Sequence, residues 1–130
     1  MHDAGPAWTP DASGWARLFT AIDARDADAF ANFITADGEF RIANAPPVVG
    51  RAAIRAAVAG FFGAIGGCRH RLRRFWTGHG TAVCEGEVTY TRLDGSTLTV
   101  PFANVFELAG GRISSYRLYI DNGPLFSGPA

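Results

Sequence analysis

The chain has 130 residues, 48% hydrophobic and 18% charged, with twelve basic residues, all arginine, against twelve acidic ones. That size and composition predict one globular domain with a sizeable core and exclude a disordered chain. Zero formal charge argues against nucleic acid or an anionic membrane as partner, and no apolar run approaches the roughly 20 residues that span a bilayer.

Residues 1–10, "MHDAGPAWTP", carry glycine and two prolines with little periodicity and read as a loose arm. They lack the basic start and apolar stretch of a secretory signal, so the expected location is cytoplasmic. From Asp11 the pattern changes. Trp15, Leu18, Phe19 and Ile22 recur at helical spacing and give a helix one apolar stripe. "DARDADAF" interrupts it, and Asp26 can cap a second helix carrying Phe30, Phe33 and Ile34. "ADGEFRIA" alternates Phe40 and Ile42 as a short strand, and Pro46 and Pro47 make "NAPPVVG" a loop. A third helix follows from about Arg51, with Ile54, Val58, Phe61, Phe62 and Ile65 inward, stopped by Gly66 and Gly67.

Four strand-like runs then follow, "CRHRLRRFWT", "TAVCEGEVTYTRL", "TLTVPFANVFEL" and "RISSYRLYI", divided by "GHG", "DGS" and "GG". Glycine-bearing short connections signal hairpins. Three helices with one early strand, followed by an antiparallel meander, predict an α+β domain with helices on one face of a curled sheet. Residues 11–126 form that domain, and 127–130 are a tail.

A turn centred on His79 sets Arg73 opposite Glu85 and Arg71 opposite Glu87, two pairs of opposite charge. The other face then carries His70, Leu72, Trp76, Cys84, Val88 and Tyr90, and is read as the interior. A three-residue "DGS" loop puts Phe102, Asn104 and Phe106 on it too. The final strand has two registers. A two-residue Gly110-Gly111 turn sets Asn104 opposite Arg117, so that Arg117, Tyr119 and Asp121 face the interior. A shift by one sends Tyr116, Leu118 and Ile120 inward and Asp121 outward.

Several residues carry candidate chemistry. The arginines at 69, 71, 73 and 74 read as a salt-bridged sheet face, because a basic groove needs excess positive charge. His70 is either a hydrogen-bonded core histidine or a pocket acid/base. Asn104, between Phe102 and Phe106, either ties the sheet to a loop or presents its amide to a ligand; burying it unpartnered costs about 1–3 kcal/mol. Cys68 and Cys84 read as buried, reduced thiols. No metal-ligand spacing and no glycine-rich nucleotide loop is present.

In order and spacing, "GRAAIRAAV" after the proline loop, "YTRLDGSTLTVPFANVFELAGGRISSYRLYID" and the final "PLF" resemble the nuclear-transport-factor-2-like superfamily. The likeness is to its SnoaL-like polyketide cyclase and ketosteroid-isomerase-like branch, over roughly Asp11 to Phe126. The resemblance implies a cone-shaped α+β barrel, a deep apolar pocket and a homodimer formed through the sheet. Ketosteroid isomerases use a tyrosine, a carboxylate base and a carboxylic acid where this chain has Leu18, Ala43 and Asn104, so steroid isomerisation is not implied. SnoaL-like cyclases use an aspartate on the closing strand, which Asp121 matches. Limonene-epoxide-hydrolase-like members use an Asp-Arg-Asp relay; Arg117 and Asp121 are present, without a second pocket aspartate.

The resemblance and the residues together give an expected cofactor-independent acid/base enzyme of cyclase, isomerase or dehydratase type, acting on a small hydrophobic molecule. Asp121 is the expected acid/base, with Tyr119, Asn104 and His70 as polar partners. Trp15, Phe19, Phe40, Phe61, Phe102 and Arg117 are the expected substrate-binding residues. The alternative is a non-catalytic binding or dimerisation module, and the two part on whether Asp121 lines a cavity or faces solvent.

Overall fold

The computed structural model describes residues 7–127; most of the expected arm and tail lies outside the described residues. Helix α1 (Ala12–Asp23) opens on Asp11, whose carboxylate accepts a hydrogen bond from the Gly14 amide at 2.8 Å. Its stripe of Trp15, Leu18, Phe19 and Ile22 is buried. Helix α2 (Ala27–Ala31) is capped by Asp26, as expected, through the Ala29 amide at 3.0 Å. It ends before Phe33, and Ile34 already starts a strand, a β-branched residue better suited there. Helix α3 (Arg51–Gly63) buries Ile54, Val58 and Phe62. It stops at Ala64, short of the glycine pair, so Ile65 is buried from outside the helix. A short helix α4 (Gly123–Ser127) closes the described chain.

Strands β1 (Ile34–Ile42), β2 (Val48–Val49), β3 (Gly67–Gly78), β4 (Thr81–Thr91), β5 (Thr97–Ala109) and β6 (Arg112–Ile120) form one sheet, ordered β2-β1-β6-β5-β4-β3. The architecture is α+β, with a curled, open sheet packed against helices. Two details differ from expectation. The proline loop contributes the two-residue β2, and β1 pairs with β6 in parallel, so the sheet is mixed. Within the expected arm, Trp8 is packed onto the domain. The Trp8 amide donates to the Gly111 carbonyl at 2.8 Å, and its buried ring packs edge-on against Trp15 with centroids 5.1 Å apart.

Two bulges decide which side chains face the core. In the β3–β4 hairpin Arg71 opposes Glu87 as expected, but Arg74, not Arg73, opposes Glu85. Arg73 is the extra residue of a bulge, and an extra residue exchanges the faces of everything beyond it. Phe75 therefore joins the inner-face row opposite Cys84, at the groove beside α1, where it stays 37% exposed with its ring 6.3 Å from that of Trp15. Trp76, expected inside, is 48% exposed, with the Arg74 guanidinium 5.3 Å from its ring. Gly86 makes the bulge possible, since a Cβ there would lie 2.2 Å from the Arg71 carbonyl oxygen. On the outer face Glu87 holds Arg71 and Arg73 at 2.7 and 3.0 Å, and Glu85 holds Arg74 at 2.7 Å. The arginine cluster is thus a salt-bridged sheet surface.

The second bulge resolves the open register of β6. Gly110 and Gly111 do form a two-residue turn, with φ of 59° and 76°, values that favour glycine, and Leu108 opposes Ile113. Between Glu107 and Leu108 the register then shifts by one, with Ser114 as the extra residue of β6. From there Phe106 opposes Tyr116, Asn104 opposes Leu118 and Phe102 opposes Ile120. Both sequence signals hold locally, and the bulge reconciles them.

Candidate functional site

With Tyr116, Leu118 and Ile120 turned to the inner face, Arg117, Tyr119 and Asp121 lie on the outer one. Asp121 is exposed and accepts a hydrogen bond from the Gly123 amide at 3.0 Å, which holds the start of α4. Tyr119 is 53% exposed. Arg117 pairs with Glu107 at 3.1 Å and donates to the Ser115 hydroxyl at 2.9 Å. The expectation that these three residues line the hollow is corrected by the Ser114 bulge.

The hollow itself is a cavity of about 170 Å³ between α3, β1, the proline loop and the inner sheet face. Phe40 and Phe61 line it, as expected, with Phe30 and Phe62. Exposed Ala45, Pro46 and Ala57 mark its mouth. Trp15 and Phe19 instead line a surface groove between α1 and β3, and Phe102 is buried behind His70. His70 lines both the cavity and that groove.

Polar groups converge on one wall of the cavity because adjacent strands put them in neighbouring rows. Cys68 and His70 come from β3, and Cys68 opposes Tyr90 on β4. Asn104 on β5 opposes Cys84 of β4 and Leu118 of β6. Tyr116 is one pair further along β6.

His70 is held rigidly. Its Nδ1 lies 2.6 Å from Asp23 Oδ1, and its backbone amide donates to Asp23 Oδ2 at 2.9 Å. Phe19 stacks on the imidazole with centroids 4.7 Å apart, and Phe102 meets it edge-on at 5.2 Å. An ionised carboxylate only accepts, so it takes the Nδ1 hydrogen, and in a neutral imidazole held this way the lone pair is on Nε2. Asp23 ends α1 and reaches across to β3. It is not among the residues expected from the sequence, although a carboxylate in the last turn of a helix opposes the helix dipole and is a signal that it serves another group.

The remaining polar groups stay neutral. Burial pushes the Cys68 and Cys84 thiols and the Tyr90 phenol each up to about 12. Burial also holds Tyr116 well above the ordinary phenol range, with the nearby Asn104 amide pulling the other way. Asn104 is 1% exposed, and its Nδ2 lies 3.7 Å from the Cys84 sulfur. Its Oδ1 has no hydrogen-bond partner among the described residues.

Asp23, Cys68 and His70 also bring three metal-type ligand atoms within 4.8 Å of one another. Both Asp23 oxygens are also engaged by His70, and the Cys68 sulfur lies 3.5 Å from the Ile22 carbonyl oxygen and 3.8 Å from Asp23 Oδ1. The cluster is complete as a hydrogen-bonded unit. Chemically, the wall combines an oriented imidazole with neutral phenol and amide groups in a low-dielectric hollow, the parts of a general acid/base site.

No helix of the described residues is long and apolar enough to cross a membrane. Comparison with curated proteins gives no match. Among solved structures, TerC co-crystallised with polyporic acid is 19% identical, with 92% of this chain and 97% of that one covered and a TM-score of 0.78. A protein from Jannaschia sp. CCS1 assigned as a SnoaL-like polyketide cyclase is 19% identical, with 100% of both chains covered and a TM-score of 0.78. An LEH-like epoxide hydrolase of M. tuberculosis is 17% identical over 87% of this chain and 84% of that one, with a TM-score of 0.72. At such identities the likeness carries the fold. The profile of the SnoaL-like domain matches residues 15–116. With that match over most of its length, on the helix-and-curled-sheet frame described above, the chain belongs to the SnoaL-like domain family.

Proposed function

We propose that this protein binds a small apolar molecule in the cavity and transfers a proton on it, with His70 as the acid/base and no cofactor. The observation that carries this reading is the 2.6 Å contact between His70 Nδ1 and Asp23 Oδ1 on a residue that lines the cavity. Asp23 is the positioning residue: it fixes the tautomer that leaves Nε2 basic and steadies the imidazolium that forms when Nε2 accepts a proton. A carbon acid beside a carbonyl would lose its proton to Nε2. Charge then develops on the carbonyl oxygen, where a neutral phenol such as Tyr116 or Tyr90 can donate a hydrogen bond. Return of the proton to another carbon gives isomerisation, and departure of a neighbouring hydroxyl gives dehydration. The solved structures of similar fold that are assigned to cyclase and epoxide-hydrolase chemistry support a small-molecule reaction of this general kind.

The test reads proton abstraction directly and works with surrogate ketones in place of the natural substrate. Small cyclic ketones in D2O are screened by NMR for exchange of the protons beside the carbonyl. Exchange catalysed by the wild-type protein should fall by about 100-fold or more in His70→Gln, within the range for a lost general base. Equal rates in the two proteins would reject the acid/base role and leave a binding module, the reading favoured by the packing of His70 between Phe19 and Phe102.

The expected homodimer also belongs to this reading. Trp76 and Tyr119 lie exposed on the outer sheet face, which offers apolar area for a second copy.

A further inference from the structure

Three properties of the cavity restrict what can enter it. The first is charge. No arginine lines the cavity, and the one side chain there that can carry positive charge, His70, is already paired with Asp23. Cys68, Tyr90 and Tyr116 stay protonated through neutral pH. A ligand carboxylate or phosphate would therefore be buried with no free cation to balance its charge, which is strongly unfavourable.

The second is volume. About 170 Å³ is available, and an apolar cavity of about 150 Å³ accepts benzene. One six-membered ring with a small substituent fills that space, and three fused rings would have to project through the mouth at Ala45, Pro46 and Ala57.

The third is the unmade hydrogen bond at Asn104. In this orientation Nδ2 faces the Cys84 sulfur and acts on the Tyr116 hydroxyl. Oδ1 is left as a buried acceptor with no partner on a residue that lines the cavity. Buried polar atoms in folded proteins nearly always have a partner. A ligand donor supplies the missing one.

We infer that the ligand is a neutral molecule of single-ring size bearing one hydroxyl, which donates to Asn104 Oδ1 while the ring lies against Phe40, Phe61 and Phe62. This inference rests on the cavity being the ligand site and narrows its substrate class.

The experiment is calorimetric titration of the wild-type protein at pH 7.5 with four probes: p-cresol, toluene, 4-methylbenzoate and 1-hydroxyanthraquinone. p-Cresol should bind about fivefold or more tighter than toluene, the size of one net hydrogen bond. It should bind at least about tenfold tighter than 4-methylbenzoate, whose charge finds no partner. The three-ring quinone should give no saturable heat. In Asn104→Leu, the preference of p-cresol over toluene should disappear while toluene affinity stays within about twofold, since shape is kept and one acceptor is lost. Equal binding of toluene and p-cresol, tighter binding of the benzoate, tighter binding of the quinone, or no binding of p-cresol would each overturn the inference. The wild-type series decides it even where the variant does not fold. Failure is distinguishable from failure of the acid/base reading. Proton exchange on a ketone that survives while p-cresol does not bind removes this inference alone. Normal p-cresol selectivity with equal exchange in wild type and His70→Gln removes only the acid/base role.

Discussion

A carboxylate at the C-terminal end of a helix lies in the unfavourable half of the helix dipole, and Asp23 has that place in α1. What offsets the penalty is His70, which offers it both a ring N–H and a backbone N–H. Asp23→Asn keeps the size and one acceptor but removes the charge that stabilises an imidazolium. Ketone exchange should fall by about tenfold or more while p-cresol affinity stays within about threefold, a split between rate and binding expected of a positioning residue. Loss of affinity in step with rate would mark Asp23 as structural support. Asp121 gives the contrasting case. Its carboxylate is exposed and caps a five-residue helix. Asp121→Ala should leave both exchange rate and probe affinity within about twofold of wild type, as substitutions far from a site usually do. A drop comparable to that of His70→Gln in the same NMR assay would return the chemistry to β6.

At the scale of elements, the two bulges do more than any single side chain to place the site. Each adds one residue to one strand and so exchanges inner and outer faces beyond it. Without the Ser114 bulge, the turn at Gly110-Gly111 would send Arg117 and Tyr119 inward and expel Tyr116 and Leu118. The bulge at Arg73 does the same service for Phe75. It depends on Gly86, whose missing side chain leaves room for the Arg71 carbonyl. Gly86→Ala should destabilise the fold by about 2 kcal/mol or more, since a Cβ 2.2 Å from a backbone oxygen forces a strand apart. Urea unfolding monitored by tryptophan fluorescence measures this. An unchanged midpoint would mean that β3 can lose its bulge without penalty.

For the whole molecule, the buried neutral acids set an alkaline limit on stability. Cys84, Tyr90 and Tyr116 all hold their protons more tightly folded than unfolded. Their contribution is complete below the unfolded values, near 9 for a thiol and 10 for a phenol. It is lost as pH climbs from there towards the folded values of about 12 for Cys84 and Tyr90. Unfolding free energy should therefore fall between about pH 9 and 12, by up to about 1.4 kcal/mol per pH unit for each such group. Urea midpoints at a series of pH values give the slope, and Tyr90→Phe should make it shallower. A slope unaffected by that change would show the phenol to be solvated. The outer sheet face makes a second prediction at this scale. If it joins two copies, Tyr119→Glu should convert a dimer to a monomer in sedimentation velocity, because a buried unpaired charge opposes association. A wild-type monomer would dismiss the dimer.

The local content of the sequence was enough for much of this. The stripe of α1, the cap at Asp26, the glycine turns, and the inward rows of Cys84, Val88, Asn104 and Phe106 follow from period and turn chemistry, which act over a few residues. The order of those elements carried the family. His70 could be placed on the inner face, but not its partner, because the separation of 47 positions between Asp23 and His70 is closed only when α1 docks on β3. A bulge leaves almost no trace in composition, yet it alone determines whether Asp121 or Tyr116 meets the cavity. Tertiary packing made that choice: burying Tyr116, Leu118 and Ile120 removes more apolar surface from water than burying Arg117, Tyr119 and Asp121, and one unpaired serine in the strand allows it.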